Sequence, residues 1–219
     1  MSRNDGPHGD ERLRTGGSDL GAADAAAVLV HGRGATARSI LQMGEAFHAP
    51  GVAYLAPQAA GNTWYPNSFL EPVERNEPGR SSGLRAVDDA VERANEAGIP
   101  AERVLVLGFS QGACLGTEYV ARNPRRYGGV VALSGGLIGE TVDPGEFDGS
   151  LDGTPAFVGC SDVDPHTPVE RVHATTAVLE RLDADVEERI YEGMGHGVNE
   201  DEVGYVRGMV ADLVDGAGD

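Results

Sequence analysis

The 219-residue chain is long enough for one domain that buries roughly 70% of the surface its unfolded form would expose. Its 35 acidic residues outnumber 17 basic ones, all arginine, for a net charge of −18. That balance excludes nucleic acid and anionic membrane as partners, because both need cationic side chains to neutralise phosphate. Two cysteines, Cys114 and Cys160, are too few for a disulfide framework and match no metal knuckle, so a reducing compartment is expected.

Residues 1–24 are polar, charged and Gly-rich, without the apolar core of a signal peptide. They are expected to form a flexible N-terminal segment ahead of a single domain over 25–214, with a short tail at 215–219. No apolar run is long enough to cross a membrane, so a soluble, cytoplasmic protein without membrane insertion is expected. An acidic surface without lysine suits molar salt, where the Debye length shrinks to ~3 Å and self-repulsion is screened. A high-GC genome would explain arginine in place of lysine but not the excess of acids over bases.

In chain order, the apolar runs Ala25–Val30, Val52–Ala56, Val104–Phe109, Val130–Leu133 and Pro155–Gly159 read as buried strands. Val186–Tyr191 alternates apolar with charged residues and reads as an edge strand. Helical spacing occupies Ser39–His48, Leu84–Ala97, Gln111–Arg122, Val169–Leu182 and Asp201–Val214. Strand and helix take turns, which predicts an α/β fold with a mostly parallel sheet and helices on both faces. Function in such sheets collects at the carboxyl ends of the strands. The long irregular stretch Pro57–Ser82 carries Trp64, Tyr65, Phe69 and Leu70, and these aromatic and apolar residues predict an ordered wall that binds substrate beside the site.

The strand at Val104–Phe109 runs into "GFSQGA" and then a helix. A strand-to-helix turn this sharp holds its central residue in a strained conformation and lifts Ser110 above the sheet edge, while Gly108 and Gly112 make room for strand and helix to approach. With 32 glycines in the chain, Gly-x-Ser-x-Gly alone is a weak signal, and its setting between strand and helix carries the weight. A nucleophilic serine needs a base, and the base an orienting acid. "EGMGHGV" after the last strand supplies His196, and "SDVDPHTPVE" after the preceding strand supplies Asp162 and Asp164. Pro165 fixes the exit from Asp164 and favours it as the orienting acid. Asp162, Asp164 and His166 also read as metal ligands on paper, but an acid-rich loop in an acid-rich chain needs no metal, and none is expected.

Attack on a carbonyl builds an oxyanion, which needs two N–H donors. Gln111, the residue after the serine, supplies one, and the "VHGRGATA" loop after the first strand supplies the other from Arg33, since Gly32 and Gly34 let that backbone swing in. The Arg33 side chain is expected to pair with a surface carboxylate, or else to recognise an acidic substrate. His31 is expected to shape this loop, Cys114 to be a small buried hydrophobe, Cys160 to be the more reactive thiol, and Met194 to pack.

These motifs, "HGRGA", "GFSQGA", "ALSGGL", "DVDPHTPV" and "YEGMGHGV", resemble those of the α/β-hydrolase superfamily, and within it the phospholipase/carboxylesterase family that includes the acyl-protein thioesterases. The resemblance covers residues 25–214. It implies the α/β-hydrolase fold without a cap domain, Ser110, Asp164 and His196 as a catalytic triad, and no cofactor. Thioesterases of the family usually carry His-Gly-Leu-Gly-Asp in the oxyanion loop, where this chain has Arg33 and Ala35. "TWYPNSFLEP" resembles instead a subgroup of small bacterial and archaeal esterases. The implied activity is therefore hydrolysis of a small-molecule ester or thioester through an acyl-enzyme. A binding protein that kept the fold without the chemistry is the alternative, as is a lactone hydrolase, although those normally carry cysteine at the elbow. Oligomeric state is left open, with a homodimer among the options.

Overall fold

The computed structural model describes residues 6–215. Seven strands form one sheet: β1 (Arg14–Gly17), β2 (Ala25–Val30), β3 (Val52–Ala56), β4 (Val104–Phe109), β5 (Gly129–Leu133), β6 (Pro155–Ser161) and β7 (Asp185–Tyr191), in the order β1-β3-β2-β4-β5-β6-β7. All neighbours pair in parallel except β1, which runs antiparallel to β3. Among the described residues four α-helices lie between strands, α1 (Ala37–Gly44), α2 (Gly79–Glu96), α3 (Gln111–Arg122) and α4 (Val169–Arg181), and α5 (Glu200–Asp215) follows β7.

Alternation along each strand explains the two helical layers. Ala26, Val28 and Val30 of β2 and Val104 and Val106 of β4 face one side, where they meet Val87 and Val91 of α2, Leu115 of α3 and Val172 of α4. The intervening Ala25, Ala27 and Leu29, with Leu105 and Leu107, face the other side and meet Ile40 of α1 and Val206 and Val210 of α5. Residues successive in a strand point to opposite faces, so unbroken apolar runs such as "AAAVLV" can satisfy both layers at once. β7 lies at the sheet edge, and every side chain in it except that of Asp185, which is exposed, is half-buried.

The stretch expected to be flexible is built into the fold over its described part. β1 ladders onto β3, and His8, buried ahead of it, engages Pro57–Ser82 from outside. Its ring Nδ1 accepts from the Ala60 N–H, which leaves Nε2 to donate to the Trp64 carbonyl at 2.8 Å, and its own backbone N–H donates to Ser82 Oγ. Residues 1–5 and the tail 216–219 lie outside the described residues. Helix α2 starts at Gly79, five residues before its first apolar position. A Cβ on Gly79 would stand 2.6 Å from the Trp64 carbonyl, and one on Gly83 would stand 2.9 Å from Leu115, so these glycines let the helix press against the wall segment.

Candidate active site

Ser110 closes β4 and caps α3 with φ 54° and ψ −121°, a conformation disfavoured for any residue with a side chain. The turn is sustained from both sides. A Cβ on Gly108 would lie 2.1 Å from the Gly112 carbonyl, and one on Gly112 would lie 2.1 Å from the Val30 carbonyl. Only glycine fits either position. The Ser110 N–H donates to Leu133 of β5, so the strained residue is also held by the neighbouring strand.

Two loops bring the partners. His196 Nε2 lies 2.9 Å from Ser110 Oγ, and its Nδ1 lies 2.7 Å from Asp164 Oδ2. The other Asp164 oxygen accepts the backbone N–H groups of His166 and Thr167. Burial alone would raise this carboxyl, but the bonds from His196 and the two backbone donors outweigh it and hold its pKa below the ordinary value. An ionised Asp164 with no exposed side-chain surface fixes the proton of the neutral imidazole on Nδ1 and leaves Nε2 to accept from serine. Asp162 takes another part: its carboxylate accepts the Gly193 N–H at 2.7 Å and braces the turn that leads to His196. The ring of His166 stands edge-on to His196 with centroids 4.9 Å apart, and Phe109 packs on another side.

The loop after β2 is shaped by a buried His31. Ala59 N–H donates to its Nε2, so Nδ1 carries the proton and donates to the Gly32 carbonyl; burial lowers its pKa and keeps the ring neutral. Arg33 and Gln111 line the groove above Ser110, and neither backbone N–H meets a protein acceptor among the described residues. Both donors are therefore free for an oxyanion.

The groove has a volume of about 570 Å³. Tyr65, Phe69 and Leu70 line it, as do Ser134 and His166. Trp64 does not. It is fully buried, packs 4.9 Å from the His31 ring and donates its indole N–H to the His31 carbonyl, so it supports the oxyanion loop from beneath. An indole offers one donor and a large apolar surface, and a buried carbonyl over the sheet satisfies both better than solvent does. The Arg33 side chain also departs from expectation. It pairs with no carboxylate among the described residues and donates to the carbonyls of Tyr65, Pro66 and Asn67 at 3.0, 3.0 and 2.6 Å. It ties the oxyanion loop to the wall. Gln111 does the same from beneath, accepting the Trp64 N–H and donating to the Tyr65 carbonyl.

Two buried acids near the site are not anticipated by the sequence pattern. Glu118 in α3 is fully buried and binds Arg80, Arg122 and the Ile138 N–H; a lone acid inside an otherwise apolar helix was the available clue. Glu202 is likewise buried. Its Oε2 accepts the Asn199 N–H and its own N–H donates to Asn199 Oδ1, closing the start of α5 just after the His196 loop. Its Oε1 has no partner among the described residues and lies so close to Gly159 that a Cβ there would stand 2.3 Å away. Burial pushes this carboxyl up to about 7, against the Asn199 bond, with Asp201 adding to the rise. Cys160 is not the reactive thiol expected: burial and the Asp164 carboxylate push it up to about 12, and burial pushes Cys114 to about 11.

Among the described residues no cluster of His, Cys, Asp and Glu is placed to hold a metal ion, and no helix is long and apolar enough to cross a membrane. The sheet order, the elbow and the converging loops define an α/β hydrolase. The sequence profile of the Phospholipase/Carboxylesterase family matches residues 18–212, and the chain belongs to that family. A phospholipase/carboxylesterase from Dyadobacter fermentans is 40% identical over 92% of this chain and 96% of its own, with a TM-score of 0.88. Acyl-protein thioesterase 1 of Neurospora crassa is 29% identical over 61% of this chain and 58% of that protein. The Candida albicans acyl-protein thioesterase 1 is 31% identical over 57% of this chain. The chain thus spans little more than half the length of these curated relatives, 58% and 56%.

Proposed function

We propose that the protein is a serine hydrolase that cleaves small carboxylic esters or thioesters through an acyl-enzyme. The observation that carries this is the unbroken chain of hydrogen bonds from Ser110 Oγ through His196 to Asp164, opening onto a groove. Ser110 attacks the acyl carbon while His196 Nε2 takes its proton; the imidazolium is stabilised by Asp164. The tetrahedral oxyanion accepts from the N–H groups of Arg33 and Gln111. Its collapse expels the alcohol or thiol, which leaves with the proton from His196. Water then repeats the sequence on the acyl-enzyme and frees Ser110.

The groove, which no separate domain covers among the described residues, favours short acyl groups over long lipid chains. Intact nucleophile, base and acid argue against a protein that only binds. The free, buried cysteines fit a reducing cytoplasm, and the lysine-free acidic surface fits high salt. The direct test is turnover of p-nitrophenyl acetate and butyrate with labelling by a fluorophosphonate probe. Both should vanish in Ser110→Ala with the circular dichroism spectrum unchanged. Undiminished turnover in that variant would refute the assignment.

A further inference from the structure

In a chain with 35 acids to 17 arginines, the groove stands out by sign: among the described residues no aspartate or glutamate lines it, and the fixed charge on its wall is the Arg33 guanidinium. That cation is held by three carbonyls and forms no ion pair among the described residues. A second cation backs the same wall. The Arg171 guanidinium lies 5.7 Å from the centre of the Phe69 ring and is 8% exposed; it too donates only to carbonyls, those of Leu137 and Glu140. Glu118, a buried acid near it, is already shared between Arg80 and Arg122. Asp164, the carboxylate nearest the nucleophile, is covered by His196 and has no exposed side-chain surface.

Carbonyls solvate a guanidinium but leave its charge uncompensated, and Arg33 retains N–H groups beyond the three it uses. We infer that the substrate is an ester or thioester that itself carries a carboxylate close to the scissile bond, and that Arg33 selects it. This deepens the proposed hydrolase reading and rests on it. A clamp that only fastened the loops would serve neutral and anionic substrates alike; a recognition group separates them.

Matched methyl esters test this by pH-stat: the monomethyl esters of succinate, glutarate and adipate against methyl butyrate, pentanoate and hexanoate. Rates are taken in 1 M KCl, where ~3 Å screening removes long-range repulsion by the net charge but spares a contact pair. The native protein should favour the half-ester, for at least one chain length, by about tenfold or more in kcat/KM, chiefly through KM. Arg33→Gln should collapse that ratio towards one, whatever it does to rates overall, and Arg33→Lys should keep part of it. Equal or better turnover of the neutral esters at all three lengths overturns the inference, even if Arg33→Gln fails to fold. A native ratio unaltered in a folded Arg33→Gln removes Arg33 from the role. If neutral esters are hydrolysed without anion preference, the hydrolase reading stands alone; if no ester is hydrolysed and the fluorophosphonate does not label, both fall together.

Discussion

Glu202→Gln should stabilise the protein in mild base and do much less in acid. The carboxyl titrates near 7 in the fold against an ordinary value of 4.5, so between those values the native state holds a proton that the unfolded chain has lost. Its contribution to stability is therefore fully present below about pH 4.5 and is lost as pH rises through 7. The full loss is about 3 kcal/mol, of which about 2.5 kcal/mol falls between pH 5 and 8.5. Glutamine stays neutral throughout, and its carbonyl oxygen can still accept the Asn199 N–H that closes the start of α5. Urea melts of both proteins at pH 5 and 8.5 isolate this term, because every other group titrates alike in the pair. The variant should gain on the native chain by about 2.5 kcal/mol across that interval. A difference that stays constant within about 0.5 kcal/mol would refute the reasoning that a buried, half-partnered carboxylate is what this helix start tolerates.

Further outcomes follow from the same geometry. Asp164→Asn should keep the fold and lower kcat by about 10⁴, since the amide no longer fixes the imidazole tautomer; retained turnover on p-nitrophenyl butyrate would contradict the assigned role. Gly112→Ala drives a methyl to 2.1 Å from the Val30 carbonyl and should cost about 3 kcal/mol or more in denaturant melts. Trp64→Phe strands the buried His31 carbonyl and should cost about 1–3 kcal/mol while lowering kcat through the oxyanion loop. Thiol titration at pH 8 should label neither cysteine quickly in the folded protein and both in urea, given thiols raised to about 11 and 12. The melting temperature should climb between 0.1 and 3 M KCl, and equal values would end the salt-adaptation reading.

Much of the fold is legible because the chain states its periods plainly. The five apolar runs and the alternating sixth become β2 to β7 with ends shifted by no more than two residues, and Gln111–Arg122 is α3 as expected. The elbow was readable because Ser110 falls where a buried apolar run gives way to helical spacing, with Gly108 and Gly112 making room for the turn. β1 was not, since Arg14–Gly17 buries none of its side chains and is held chiefly by its ladder to β3, which leaves no mark on hydrophobic pattern. The start of α2 was hidden for a related reason: Gly79 and Gly83 pack through missing side chains, and the residues between them are polar. Trp64 was misplaced because an aromatic residue in a loop looks the same in sequence whether it faces a ligand or a carbonyl beneath it. Likewise, the Arg33 side chain finds backbone oxygens, which no sequence letter encodes.

His8 sits in a segment that does no chemistry, yet it clips the backbone of Ala60 and Trp64 from the outer side, opposite the hold of Gln111 and Arg33. The segment that carries the groove wall is thus fastened by a stretch far upstream in the chain. An affinity tag, a fusion junction or a protease cut ahead of Arg14 would act at a distance on which molecules are accepted, while leaving the reactive serine untouched.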